Sequence, residues 1–342
     1  MQDWWIYQGP GTAAERLDRL ELSAPPWRRF RGVGSQYRPP TDGAVWEETL
    51  ERGTGFVPED HEIDVVNTAL YLRRPLLITG KPGVGKSTMA YSIAADLGLG
   101  PVLRWPITSR SSLRDGLYEY DAIGRLHDSS LRRSPQEATG RDAAEPLSIS
   151  TYLRLGPLGT ALLPQSRPRV LLVDEIDKCD IDLPGDLLTV FEEGSFEVPE
   201  LARIAAQDAS PLIGTADGPE PSARIEGGRA QCSAFPVVVL TSNGEREFPP
   251  PFLRRCIRLN IAPPERDRLE EIVRRRLAVD PGTDPASSLI DAFLGRRATG
   301  DLATDQLLNA IQLRLSGAWP NPADNERLLS VALEQLTDSP SG

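Results

Sequence analysis

Hydrophobic residues along this chain follow two alternating rhythms. Nearly continuous apolar runs occur at residues 75–79, 102–105, 170–173 and 236–240, with an alternating one at 257–261. Runs of that length, rich in Val, Leu and Ile, read as strands buried on both faces, the habit of a parallel sheet. Between them the apolar positions recur every three or four residues. Residues 59–72 place Ile63, Val66 and Leu70 on one stripe, and residues 88–97 place Met89, Ile93, Ala94 and Leu97. Residues 183–193 do the same with Leu187, Leu188 and Phe191. These spacings predict helices. Strands alternating with helices over residues 59–262 define an α/β domain with a parallel sheet flanked by helices.

After Pro263 the helical period continues with no strand between. Residues 265–277 (Leu269, Ile272, Val273), 287–294, 302–315 (Leu307, Ile311, Leu315) and 325–336 (Leu329, Leu333, Leu336) predict a small all-helical domain over 263–337, leaving a tail at 338–342. Residues 1–58 carry neither rhythm. Aromatic clusters, Trp4-Trp5-Ile6-Tyr7 and Trp27 to Phe30, stand there among Gly, Pro and charge. This segment is expected to be an extended arm anchored by its aromatic rings, on its own core or on a neighbouring subunit. The polar stretch 133–147 is expected to be mobile, and residues 196–235 to form a projecting hairpin or loop.

Composition narrows the function. A chain of 342 residues has room for about two domains. Its net charge of −11 argues against wrapping a nucleic-acid backbone, which needs clustered Lys and Arg. Cys179, Cys232 and Cys256 are too widely spaced for a zinc pattern or a disulfide framework, and two histidines, His61 and His127, are too few for a histidine-based centre. No segment resembles a signal peptide or reaches membrane-spanning length, so a cytoplasmic protein with no membrane partner is expected.

One stretch carries the chemistry. The first strand runs into Gly80-Lys81-Pro82-Gly83-Val84-Gly85-Lys86-Ser87-Thr88, which fits G-x-x-x-x-G-K-[ST], the phosphate loop. Its glycines let backbone N–H groups curl around phosphate oxygens, and the helix that follows aims its positive end at the same anion. Lys86 is placed to neutralise the outer phosphates, and the Ser87 hydroxyl to be a ligand to Mg2+. The third strand ends in Val173-Asp174-Glu175-Ile176-Asp177. Asp174 suits the metal shell and Glu175 the attacking water. Asn243 ends another buried strand, where it can lie between that water and the γ-phosphate; an Asn-Gly turn before Gly244 is its plainer role. Arg254 and Arg255 lie beyond it, where an arginine can serve as a finger.

Taken together, the phosphate loop, the Val-Asp-Glu-Ile-Asp strand, the Thr-Ser-Asn strand end, the Pro-Phe-Leu-Arg-Arg turn and the helical lid resemble the AAA+ ATPases. Gly156-Pro157-Leu158, Leu187-Leu188 and Phe191-Glu192-Glu193-Gly194 are similar to the wording of the MoxR-like branch, also called dynein-related or midasin-like. The likeness covers roughly residues 55–335. It implies a P-loop NTPase fold with a helical lid, with Gly80 to Ser87 as Walker A, Asp174 and Glu175 as Walker B, Asn243 as sensor 1 and Arg255 as the finger. The lid stretch Leu302 to Leu308 has no arginine at the sensor 2 place, and Arg296 or Arg297 is the substitute.

The resemblance further implies ATP and Mg2+ as cofactors and a homo-oligomeric ring, commonly a hexamer, with nucleotide at each subunit boundary. It implies loops facing a pore or partner, for which Gly116 to Tyr120 and residues 196–235 are the candidates. MoxR-like ATPases resemble chaperones that remodel or activate a protein partner, often one bearing a von Willebrand A domain. Its furthest extension is a bacterial conflict or defence system. The competing reading is an ATP-dependent assembly switch or scaffold with little turnover. A metabolic kinase would share the loop but leaves the finger turn and the lid unexplained.

Overall fold

The computed structural model describes residues 4–9, 16–22, 24–32, 36–133, 148–297, 302–317 and 333. The polar stretch expected to be mobile lies almost wholly outside them, as do all of the last predicted helix but Leu333 and the tail. Five strands form the central sheet: β1 (Leu76–Thr79), β2 (Leu103–Pro106), β3 (Val170–Asp174), β4 (Val237–Ser242) and β5 (Ile257–Asn260). Their order is β5-β1-β4-β3-β2, and every neighbouring pair is parallel. All five C-terminal ends therefore share one edge. Because β4 lies between β1 and β3, the residues after those three strands are neighbours in space.

Strand alternation divides the core. Leu77, Leu171, Val173, Val238 and Leu240 join one buried cluster, while Leu76, Ile78, Val170, Leu172 and Val239 join another. The sheet is thus covered on both faces, as the continuous apolar runs require. Helices Asp60–Leu72 and Lys86–Leu97 supply the second cluster. Helix Leu183–Glu193 buries Leu187 and Phe191 in the first. The lid helices Arg266–Leu277, Ala286–Arg297 and Thr304–Leu315 form a third cluster around Leu269, Ile290, Phe293 and Ile311.

The N-terminal residues pack on their own core. Trp5, Ile6 and Tyr7 are buried, and Asn67 stands in for a strand partner: its Oδ1 accepts from the N–H of Ile6 (2.7 Å) and Tyr7 (2.9 Å), and its Nδ2 donates to the Tyr7 carbonyl (2.8 Å). Trp5 Nε1 donates to Asp64 (2.7 Å), and Tyr7 hydroxyl meets Ser92 Oγ (2.8 Å). The expectation of an extended arm fails further along. Residues Ala44–Thr54 are a helix lying on Lys86–Leu97. Its contact residues are small: a Cβ on Gly53 would sit 2.5 Å from the Tyr91 carbonyl oxygen.

The segment 196–235, expected as a projecting hairpin or loop, does contain a hairpin, Leu212–Gly214 with Ser222–Arg224, but it packs on the core and does not project. Strand Ser195–Glu197 pairs with Arg229–Gln231, while Leu212–Gly214 and Ser222–Arg224 join Tyr118–Tyr120 and Leu153–Leu155 in a four-stranded sheet. Phe196, Val198, Leu201, Ile213 and Ile225 are buried in the first cluster. Tyr118, one of the two candidate partner-facing tyrosines, is buried too, with its hydroxyl on Glu200 (2.9 Å). The three cysteines are buried and unbridged. Among the described residues, no helix is long and apolar enough to cross a membrane.

Candidate active site

The site is built on the shared C-terminal edge of β1, β4 and β3. After Thr79 the loop turns back through glycines that no other residue replaces. Gly80 has φ +150°, and a Cβ there would lie 2.5 Å from the Ile261 carbonyl oxygen. Gly83 has φ +74°, and its Cβ would overlap Ala303 of the lid at 2.2 Å. These are left-handed or lid-crowded positions open only to glycine. The loop ends on Gly85, and the helix starts at Lys86 with its first N–H groups at the loop.

Lys86 is mostly buried and donates three times: to Gly80 O (2.7 Å), Lys81 O (2.9 Å) and Asn243 Oδ1 (2.8 Å). Burial lowers its pKa, and the nearby Asp177, Asp174 and Glu175 act in the other direction. Ser87 Oγ donates to Asp174 Oδ1 (2.6 Å), which leaves the hydroxyl lone pairs for a cation. Thr241 Oγ1 donates to the same oxygen at 2.8 Å. Arg104, within β2, takes the other oxygen with Nε at 3.1 Å and Nη2 at 2.8 Å. Burial disfavours the Asp174 carboxylate, but the hydrogen bonds from Ser87, Arg104 and Thr241 outweigh it and hold its pKa below the usual value.

Glu175 follows in the left-handed region, at φ +61°. Such a non-glycine conformation costs of order 1–3 kcal/mol and gathers at functional sites. It turns the two consecutive acids apart. The Glu175 N–H donates to Thr241 Oγ1 (2.9 Å), and its half-exposed carboxylate accepts from Lys178 Nζ (2.8 Å). Asp177 is buried, and its Oδ2 accepts from the N–H groups of Asn243 (2.8 Å) and Glu245 (3.2 Å), fixing the loop after β4.

Loop and lid together enclose a cleft of about 290 Å³. Phe56 and Val57 line one wall, Gly83 to Gly85 and Thr88 the floor, and Ile272, Thr304 and Leu308 the lid side. Arg268 ties lid to core, donating to Glu62 (2.9 and 2.8 Å) and Glu59 (3.1 Å). Beside the cleft, Lys81, Pro82, Val84, Pro264, Leu302 and Arg297 line a recess of about 250 Å³. Arg297 donates to Pro264 O (2.6 Å), and burial lowers its pKa. Arg296 is not part of that recess.

The structure thus brings together Gly80 to Thr88, Asp174, Glu175 and Asn243. It does not bring Arg255 to them within one chain. Ile257 pairs with Leu76 at the start of β1, whereas the phosphate loop follows Thr79 at its end. Arg255 therefore sits across the sheet edge, on the order of 10 Å or more away, with its guanidinium on Glu192 and the Pro251 carbonyl. Four contributors were missed by sequence reasoning: Arg104, Thr241, Asp177 and the Phe56-Val57 wall. Only Asp177 left a local signal, as the third acid of Val-Asp-Glu-Ile-Asp. The others act through contacts distant along the chain.

A parallel sheet of this order with a phosphate loop on its first strand and acids on its third defines a P-loop nucleotide-binding protein of the α/β class. A family model of the AAA domain, dynein-related subfamily, matches residues 75–256. That is more than half of the 342 residues, and the chain belongs to this family of AAA+ ATPases. A comparison with curated proteins returns no match.

Nucleotide is the ligand this family implies, with Mg2+ as its usual companion. Mg2+ takes oxygen ligands, keeps several waters and needs only one or two protein oxygens beside the phosphates. Ser87 Oγ and the Asp174 carboxylate, fixed to each other at 2.6 Å, meet that requirement. Among the described residues there is no cluster of three or more acidic, His or Cys side chains that would make a separate metal cage.

Proposed function

We propose that this chain is a MoxR-like AAA+ ATPase that hydrolyses ATP at the subunit boundaries of a homo-oligomeric ring, commonly a hexamer, and uses the cycle to remodel or activate a protein partner. The observation that carries the reading is the separation of Arg255 from the phosphate loop of its own chain, while every other expected member of the site is gathered at one sheet edge. An arginine at that place completes a site only in a neighbouring molecule. A partner with a von Willebrand A domain, and a bacterial conflict system as setting, follow from the branch resemblance.

Within each site, backbone N–H groups of Gly80 to Ser87 hold the phosphates. Lys86 gives up carbonyl contacts to meet the outer oxygens. Ser87 and Asp174 would hold a Mg2+, which would supply charge neutralisation on the phosphates. Glu175 accepts a proton from the attacking water, Asn243 orients that water, and Arg255 from the next subunit meets the charge that develops. Arg297, in the recess beside Lys81, takes the sensor 2 place that the stretch 302–308 leaves without an arginine.

The lack of an arginine in the stretch 302–308 itself favours the second reading, an assembly switch with little turnover. Phosphate release measured against protein concentration separates the two. Turnover per chain that rises as the protein assembles, and is abolished by Glu175→Gln, supports the ATPase. Turnover indifferent to dilution in a monomeric protein overturns the shared site. Assembly and partner capture that persist in the absence of turnover favour the switch.

A further inference from the structure

Asp174 already has a cationic partner. Both oxygens are occupied: Oδ1 by the hydroxyls of Ser87 and Thr241, and Oδ2 by Nε and Nη2 of Arg104. A carboxylate offers about four acceptor positions, so none remains for the water of a metal shell. The two partners differ in permanence. Asp174 is about 8% exposed in its side chain and fixed by the strand end, whereas the Arg104 side chain is 51% exposed and belongs to the edge strand β2. Ser87 and Thr241 hydroxyls can stay in place while a cation approaches. A guanidinium and a divalent cation on one carboxylate oxygen repel each other.

We infer that Arg104 is an exchangeable counter-ion, holding the Asp174 carboxylate in place until Mg2+ arrives with the nucleotide and then yielding it. Arg104 is a positioning residue in this role. It preserves the Ser87–Asp174 pair, because a buried carboxylate left without a cation is costly. It also sets the Mg2+ concentration the site requires, since the metal must displace it. The half-exposed Arg104 side chain keeps the cost of that displacement low, for a solvated ion pair is worth far less than a buried one. The residue after Arg104, Trp105, packs against Gly116 at the foot of the Tyr118 strand.

The inference rests on the ATP·Mg2+ reading above, and the test keeps the two apart. A fluorescent ADP analogue is titrated onto the full chain in EDTA and at stepped free Mg2+, for wild type, Arg104→Gln and Arg104→Lys. Saturable binding by wild type in Mg2+ is required by the underlying reading. Its absence removes both. Given binding, Arg104→Gln should lower the half-saturating Mg2+ concentration by about five- to tenfold, as expected when one charge-assisted contact no longer competes. Arg104→Lys, which keeps the charge but loses the fork, should fall between. Melting of the metal-free protein should drop in Arg104→Gln, and the deficit should shrink in Mg2+ and ADP. A Mg2+ requirement that is unchanged or raised in both variants overturns the exchange and makes Arg104 a permanent brace.

Discussion

The ammonium of Lys86 donates to the side-chain oxygen of Asn243 across 2.8 Å, joining the phosphate loop to the end of β4. This contact aims the amide oxygen at the lysine and leaves Nδ2 facing the Glu245 carboxylate at 3.5 Å. A triphosphate would draw Lys86 away and release Asn243 toward the terminal phosphate. The two residues should therefore fail differently. Lys86→Ala is expected to abolish nucleotide binding. Asn243→Ala should bind within a few-fold of wild type but turn over about 10²–10³ more slowly, the usual cost of one misplaced polar group. Fluorescent-nucleotide titration and phosphate release check both. Equal loss of binding in the two variants would assign Asn243 to phosphate holding.

Arg255 offers a test that needs no structure of the assembly. Arg255→Ala should leave nucleotide binding largely intact and cut hydrolysis by about 10³ or more. Mixed with Lys86→Ala protein, which is inactive for a different reason, it should recover part of the lost turnover. Some neighbouring pairs in the mixture combine an intact loop with an intact arginine. Turnover in the mixture no greater than in either variant alone would show that the arginine does not act across a boundary. Glu192→Gln, which removes the carboxylate now holding Arg255, should lower the energy needed to redirect the guanidinium and raise turnover modestly at low protein concentration.

The sheet and the phosphate loop were legible because each rests on short-range pattern. Val170 to Asp174 is a continuous apolar run ending in acid, and all five residues prove buried. The helix Ala44–Thr54 was not legible, since the residues it buries are Thr49 and Gly53. Small side chains that fit against a helix look like loop residues in sequence. The burial of segment 196–235 was not legible because its buried residues are scattered over three-residue strands, a four-residue helix and the turns between them, too short for a period to declare itself. Arg104 looked like any outward-facing charge on a short strand, and its tie to Asp174 spans 70 residues. Phe56 and Val57 stand before the first recognisable helix, so nothing local marked them as a wall of the cleft.

The N-terminal segment should give the protein a pH dependence. Asp96, on the phosphate-loop helix, accepts from the Gln8 N–H (3.1 Å) and from Arg16 Nη2 (3.0 Å). Burial pushes its carboxyl up to about 6 from 3.8, and those hydrogen bonds act against the shift. A folded-state value above the unfolded one means the folded chain holds the proton more tightly. Its contribution to stability is full below about 3.8 and is lost as pH rises through about 6. The magnitude is on the order of 2–3 kcal/mol for a shift of this size. Urea unfolding from pH 4 to 7 should show this slope, and Asp96→Asn should flatten it. An undiminished slope in the variant would place the titrating group elsewhere.

The inserted segment should matter to stability as much as any core strand. Asp217 and Arg169 form an ion pair with side chains about 1% exposed, through Nη1 to Oδ2 at 2.8 Å and Nη2 to Oδ1 at 2.6 Å. Arg169 also donates to the Pro101 carbonyl (2.7 Å), and the Tyr37 hydroxyl donates to Asp217 Oδ2 (2.6 Å). Burial and that bond to Asp217 raise the Tyr37 pKa. One network therefore ties residue 37 and the segment 196–235 to the residue just before β3. Asp217→Ala leaves a buried guanidinium without its charge partner, which typically costs about 3–5 kcal/mol. Replacing both members, Arg169→Met with Asp217→Leu, should recover most of that loss, because no ion is then left unpaired in the interior. Urea midpoints of the single and double variants decide it. A loss within about 0.5 kcal/mol for Asp217→Ala, the range of ordinary surface substitutions, would mean the segment is a surface appendage after all.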